Sequence, residues 1–475
     1  MTVTVLVMRT ARLQIVARPR TVFACTECGA QHPRWLGRCT ACGAWETLIE
    51  EPSGSASETG DLLAGETSRT PVTLDAVEAS DAPRLASGIP ELDRVLGGGV
   101  VPGSVILLGG EPGIGKSTLG LQLAAHLQKQ KGPVLYVCGE ESPAQVRLRA
   151  DRLPGVPGDL RLLASSQVEE LAGPWRDLRP TLVLVDSIQS VHTERVASAP
   201  GSVSQVRESA ALLAGLARRS GAALLLVGHV TKEGTLAGPR VLEHLVDVVL
   251  AFEGDRGHSF RLLRATKNRF GATHEVGVFT MTDAGLRVVE NPSELFLAER
   301  RPGTSGSCIV PVLEGTRPML LEIQALVAPA GYGTARRTCL GIDDGRVALL
   351  LAVLDRRTDV DLLSRDVYVN VAGGLRILEP AADLALALAL ASSRLDVPLP
   401  RDVAACGEVG LGGEVRRVGR IDARLREAER LGFRRVLVPE GVPPRDRSEM
   451  TLVPVADVAE AVGFLRASTA VHAAL

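Results

Sequence analysis

The sequence predicts an α/β protein built on a phosphate-binding loop. A small four-cysteine metal knuckle precedes that core and a separate α/β domain follows it. Three observations carry this. The stretch Gly110-Glu111-Pro112-Gly113-Ile114-Gly115-Lys116-Ser117-Thr118 lies between an apolar strand-like run at 105–108 and a run of Leu and Ala with helical character. Cys25, Cys28, Cys39 and Cys42 form two C-x-x-C pairs in one short segment, while the other four of the eight cysteines stand singly. After Asn291 the pattern changes to short apolar strands alternating with apolar helices. A chain of 475 residues holds about three units at roughly 150 residues each, enough for two cores that need no disulfide staples.

Composition narrows the function classes. The 53 basic and 55 acidic side chains leave a net charge of −2. That excludes a histone-like polycation but allows a local basic groove. An aromatic content of 3% argues against an aromatic-rich platform for single strands. The apolar run 384–391, which no other exceeds in length, is bounded by Asp383 and Ser392 and is shorter than the roughly 20 residues a spanning helix needs. A soluble, cytoplasmic protein with no membrane partner is expected. Residues 1–22 read as a disordered basic tail or a start codon placed too early. Arg9, Arg12, Arg18 and Arg20 stand there without an acid, and a secretory signal pattern is missing.

The knuckle is expected at 23–49. A C-x-x-C turn aims two thiolates at one tetrahedral centre, and a second pair completes the four sulfurs of a closed, structural Zn²⁺ site. Two disulfides would require a secreted context, which the single cysteines and the missing signal contradict. His32 is a spare candidate ligand. Trp35 and Trp45 read as packing for a domain with almost no core, with stacking on bases as the alternative. Residues 50–80, rich in Ser, Thr, Gly and acids, read as a flexible linker.

The core is expected at 81–288. Its glycines let successive backbone N–H groups form an anion nest, and the helix that follows adds its dipole. Lys116 is placed for the β- and γ-phosphates of ATP, and Ser117, backed by Thr118, for Mg²⁺. Two further strand-like runs end in acids: 134–138 before Glu140 and Glu141, and 181–185 before Asp186. Functional groups of parallel sheets sit at carboxyl ends. Asp186 is therefore expected to orient the water shell of Mg²⁺, and Glu140 to polarise the attacking water, with Glu141 as a surface charge. A run at 222–227 leads to Gly228-His229-Val230-Thr231-Lys232. His229 reads either as a γ-phosphate sensor or as a packed residue, and Lys232 as a candidate nucleic-acid contact. Lys267-Asn268-Arg269-Phe270-Gly271 follows a strand-like run at 259–265. From residue types alone, its cations bind phosphate or a DNA backbone, or form a solvated turn.

Taken in order, the knuckle, the linker, GEPGIGKST, YVCGEES, LVLVDSIQS, GHVTKEG and KNRFG resemble the bacterial RadA (Sms) family from about residue 22 to the C-terminus. The resemblance implies a RecA-like ATPase fold with nucleotide at subunit interfaces of a ring, by analogy a hexamer. It makes Lys267 and Arg269 candidates for a catalytic finger reaching the γ-phosphate of the adjacent protomer. Residues 289–475, through Tyr368–Gly374, Glu379–Asp383 and Gly407–Gly419, resemble the proteolytic domain of Lon-type proteases. The nucleophile position is Ala381 and the base position Asp422, so neither half of the dyad remains. Arg336, Arg337 and Arg346 are candidate DNA contacts, or a solvated basic face. The function implied is a DNA-dependent ATPase of recombinational repair and the DNA-damage response. It acts on single-stranded DNA and branched intermediates alongside RecA, by branch migration or helicase-like movement. The alternatives are an ATP-switched ring assembly factor without translocation and a Lon-like peptidase.

Overall fold

The computed structural model describes residues 21–25, 30–52, 73, 75, 84–229, 240–254, 260–273, 275–331, 335–444 and 449–472. Contacts divide the chain into two compact units. One holds residues 1–88 and 100–249, the other 89–99 and 250–475, so the third division falls inside the strand Val248–Glu253.

The first unit is organised by a parallel sheet. Its strands run Val105–Gly110, Ala223–His229, Leu182–Asp186, Val134–Cys138 and Arg161–Leu163 in spatial order. Val105–Gly110, Leu182–Asp186 and Val134–Cys138 are buried at every residue. Continuous aliphatic runs of this kind are what a strand covered on both faces requires. The register sets their carboxyl ends level: Gly110 pairs with His229, Asp186 with Val227, and Cys138 with Asp186. The helix Lys116–Gln130 starts where the glycine-rich turn ends, and Gly115 at its N-cap has φ of 118°, a conformation that excludes ordinary side chains. Ser142 and Gln145 form a reciprocal capping box on Pro143–Ala150. Residues 21–25 and 30–52 form a small ribbon, a three-stranded antiparallel sheet in which Thr21–Cys25 lies between Gln31–His32 and Leu48–Pro52.

The second unit contains an antiparallel meander, Phe260–Asn268, Val276–Thr282 and Gly285–Val288. It also contains a seven-stranded mixed sheet in the order Arg337–Leu340, Arg365–Val371, Arg317–Pro329, Ser307–Glu314, Val403–Ala405, Arg435–Pro439 and Thr451–Val455. The helix Asp383–Leu395 is buried at every residue from Asp383 to Ser392, as expected of a helix apolar on all sides. Asp344–Arg357 buries one stripe, Val347, Leu350, Leu351 and Leu354, and both helices share a core with Phe260, Leu262, Val276 and Val278 of the meander. The short helix Pro90–Leu96 belongs to this unit. Buried Glu91 accepts bonds from Val278 N at 3.0 Å and from Arg317 at 2.5 Å. Among the described residues no helix is long and apolar enough to cross a membrane.

Candidate functional site

The level strand ends of the first unit gather the predicted phosphate-binding residues. The turn lifts Glu111, Pro112 and Gly113 to the surface, while Lys116 is 4% exposed. The Lys116 ammonium donates to the carbonyl oxygens of Gly110 at 2.8 Å and Glu111 at 2.9 Å and lies 3.2 Å from His229 Nδ1. Burial draws its pKa down, and the charges of Asp186, Glu140 and Glu111 work against that shift. Ser117 and Thr118 stand half-buried on the first helical turn. The open turn, the helix N-terminus and a lysine bonded, among the described residues, to two backbone carbonyls and one imidazole fit a nucleotide with its Mg²⁺.

Asp186 is 7% exposed, and the hydroxyl of buried Tyr136 donates to its Oδ2 at 2.6 Å. Burial pushes the Tyr136 phenol well above its ordinary range, and the charge of Asp186 and the hydrogen bond to it add to the rise. Tyr136 is therefore a fixed neutral donor. The Ser187 hydroxyl donates to Glu140 Oε1 at 2.5 Å, and His229 Nε2 lies 3.3 Å from Glu140 Oε2. His229 thus stands between Lys116 and Glu140. Glu141 points elsewhere and pairs with Arg149. The turn carrying Glu140 closes over Asp186: Gly139 N donates to Asp186 O at 2.8 Å, and a Cβ at Gly139 would fall 2.1 Å from Ser190 Oγ. The sequence reading did not single out Tyr136 or Gly139. Tyr136 carried a usable signal, a lone hydroxyl in an otherwise aliphatic buried strand, which must find a partner.

The remaining candidates distribute as follows. Lys267 is the last residue but one of the strand Phe260–Asn268 in the second unit, and Arg269 is exposed beyond it. Asn268 between them donates from Nδ2 to Val95 O at 3.4 Å and Leu96 O at 3.3 Å, and its Oδ1 accepts from Phe270 N at 2.9 Å. Asn268 thus ties the motif to the last turn of Pro90–Leu96, and Gly271 fits there because a Cβ would meet Gly97 Cα at 3.3 Å. Lys232 lies outside the described residues. Arg336 and Arg337 are exposed. Arg346 is held by Asp383, with Nε donating to Oδ1 at 2.7 Å and Nη2 bonded to Oδ2. Ala381 is 2% exposed and Asp422 is exposed on Ile421–Arg430. Two residues on, Arg424 donates to both oxygens of Glu379 at 2.7 and 2.5 Å, to Pro311 O at 2.8 Å and to Gly419 O at 3.0 Å.

In the ribbon, the Sγ atoms of Cys25, Cys39 and Cys42 lie within 4.8 Å of one another, and Cys25 and Cys42 are 3.7 Å apart. Tetrahedral zinc with bonds of about 2.3 Å sets sulfurs about 3.8 Å apart, so these thiolates fit Zn²⁺. Cys28 lies outside the described residues. His32 Nε2 is 3.5 Å from Cys39 Sγ. The expectation that the two tryptophans fill the ribbon core is corrected. Cys25, Cys39 and Leu48 fill it, with Phe23, Ala30 and Leu36 against them, leaving Trp35 56% and Trp45 70% exposed.

Three family models match this chain: an AAA domain over residues 68–235, a rubredoxin metal binding domain over 23–50, and the Lon protease (S16) C-terminal proteolytic domain over 357–466. They bear out the three-part architecture. The chain is 47% identical to the DNA repair protein RadA of Bacillus subtilis over 455 residues, 94% of this chain and 99% of the other. It is 50% identical to that of Brucella abortus over 466 residues, 96% and 99% of the two chains. It is 50% identical to that of Pseudomonas aeruginosa over 434 residues, 91% and 95% of the two.

Proposed function

The chain belongs to the DNA repair protein RadA family, and from that premise we propose a DNA-dependent ATP hydrolase acting on single-stranded and branched DNA. One observation carries the chemistry: Lys116, Glu140, Asp186 and His229 converge at the carboxyl ends of neighbouring parallel strands. ATP lies on the turn 110–118. Lys116 exchanges the carbonyl oxygens of Gly110 and Glu111 for the β- and γ-phosphates. Mg²⁺, when bound, neutralises charge across those phosphates, with Ser117 and Asp186 as its holders. Tyr136 occupies one oxygen of Asp186 and leaves the other for the metal's water shell. Glu140, its side chain 43% exposed, orients the attacking water. His229 links this base to the phosphate-binding cation, so hydrolysis is coupled to the end of the strand Ala223–His229.

Lys267 and Arg269 act in trans within a homo-oligomeric ring, by family a hexamer, presented by the Asn268 staple. Doping wild-type rings with Arg269→Ala subunits then removes ATPase out of proportion to the dose, and a proportional loss refutes the finger. Exposed Arg336 and Arg337 meet the DNA backbone, whereas Asp383 neutralises Arg346. RecA is the partner at recombination intermediates in the cytoplasm. Ala381 and Asp422 supply neither the hydroxyl nor the amine of the Ser–Lys dyad, which supports a Lon-like domain without peptidase activity.

The test is ATP turnover with and without single-stranded DNA, for wild type and Lys116→Ala, together with displacement of a branched junction. Stimulation and junction movement, both lost in the variant, are expected. Equal turnover with and without DNA and an unmoved junction overturn the motor. Rings that only assemble with ATP would then identify an assembly factor.

A further inference from the structure

The ribbon leaves its two largest rings outside although its own core is small. Trp35 and Trp45 are 56% and 70% exposed, whereas Trp175, the third tryptophan of the chain, is 1% exposed and bonds Ser220 through Nε1. The strip of sequence from Trp35 to Trp45 carries both exposed rings, with Arg38 between them. The tip of Trp35 lies 3.8 Å from where a Cβ of Gly37 would stand. The next residue, Arg38, bridges Trp45 in antiparallel register and sets its guanidinium 5.5 Å from that ring's centroid. Arg38 Nε donates to Gly43 O at 2.8 Å, which fixes the cation in place. Arg34 is exposed beside Trp35, and Glu46 is the single acid of residues 30–46.

We propose that Trp35, Arg38 and Trp45 form a stacking platform on which the ribbon holds bases of single-stranded nucleic acid, with Arg34 on the phosphates. Indole faces accept any base, and an arginine already seated on one of them extends the same planar surface. Exposed Arg34 and Arg38, set against the single acid Glu46, give this stretch a positive balance that suits a phosphate-bearing strand. Among the described ribbon residues, Ile49 is the one other large hydrophobic side chain left exposed. The inference rests on the single-strand reading above and assigns a second contact within it.

Full-length protein carries its own reporter, because buried Trp175 does not meet the ligand. Titration with an oligo-dT strand quenches tryptophan emission over the same concentrations at which a labelled strand gains anisotropy. Trp35→Phe with Trp45→Phe removes the quench, which assigns the signal to the strip. Trp35→Ala with Trp45→Ala keeps its zinc content and weakens oligo-dT binding about tenfold or more at fixed salt, the size expected of lost base stacking. The slope of affinity against salt stays the same, since that slope reports phosphate contacts. Equal affinity in the alanine variant, or binding without quenching, overturns the platform and leaves the single-strand reading intact. Emission that responds to purified RecA and not to oligo-dT overturns it in favour of a protein-docking strip. Wild-type protein that binds no strand at all overturns both.

Discussion

The strand-end site of the first unit and the Arg424–Glu379 pair of the second both place a long cation beside a glutamate, and they hold it in opposite ways. Lys116 rests on two loop carbonyls and an imidazole, and Glu140 beside it is 43% exposed. Every partner of that lysine has an alternative, so phosphate oxygens can replace them. Arg424 is 3% exposed and spends its guanidinium on Glu379, Pro311 O and Gly419 O, while Glu379 also accepts from Leu313 N at 2.7 Å. That pair has no vacancy for a substrate. Removing one partner of a buried, hydrogen-bonded pair strands the other charge, which makes the Arg424–Glu379 pair costly to break.

Changes at the saturated pair have the largest expected effect on stability. Arg424→Met leaves Glu379 unpaired and lowers unfolding stability by about 3 kcal/mol, read from urea denaturation. A loss under about 1 kcal/mol would erase the contrast. Lys116→Ala leaves stability nearly unchanged and cuts ATP turnover on the order of 10²–10³-fold. If the variant instead unfolds, the lysine is structural too. Tyr136→Phe removes the donor to Asp186 and reduces turnover about tenfold, the weight of one hydrogen bond to a charged group. Nucleotide binding without Mg²⁺ should be unchanged, and a nucleotide-binding defect in metal-free buffer would argue against positioning of Asp186. Asp402 and Arg435, joined at 2.8 and 3.1 Å and partly exposed, lie between the two extremes. Arg435 holds the Asp402 carboxyl below its ordinary range. The pair's contribution is thus present above the ordinary aspartate pKa of about 4 and is lost as pH falls through the depressed value. Asp402→Asn lowers the melting temperature slightly at neutral pH, under about 1 kcal/mol, and the gap to wild type closes in acid. A gap that persists in acid would assign the effect to packing.

The legible parts of the molecule are those with local signals. The turn 110–118, the strand-end acids and the buried helix after Pro380 follow from neighbouring residues. The helix begins at Asp383 because Pro380, Ala381 and Ala382 form a tighter 3₁₀ turn ahead of it. Contacts between distant residues were not legible. Tyr136 reaches Asp186 across 50 positions, and Arg317 reaches Glu91 across 226. The tryptophans misled because composition records an aromatic residue without recording whether cysteines and leucines already fill the space beneath it.

Helix Pro90–Leu96 has a practical consequence. It is assigned with residues 250–475, yet peptide bonds join it on both sides to residues assigned with the nucleotide turn. The chain therefore passes between the two units three times, and no single proteolytic cut or stop codon frees a self-sufficient half. A fragment ending near 249 would keep Glu91, Leu92, Val95 and Leu96 while discarding the strands and the arginine that shelter them. Dissection of the molecule into working parts must excise or re-cover this helix.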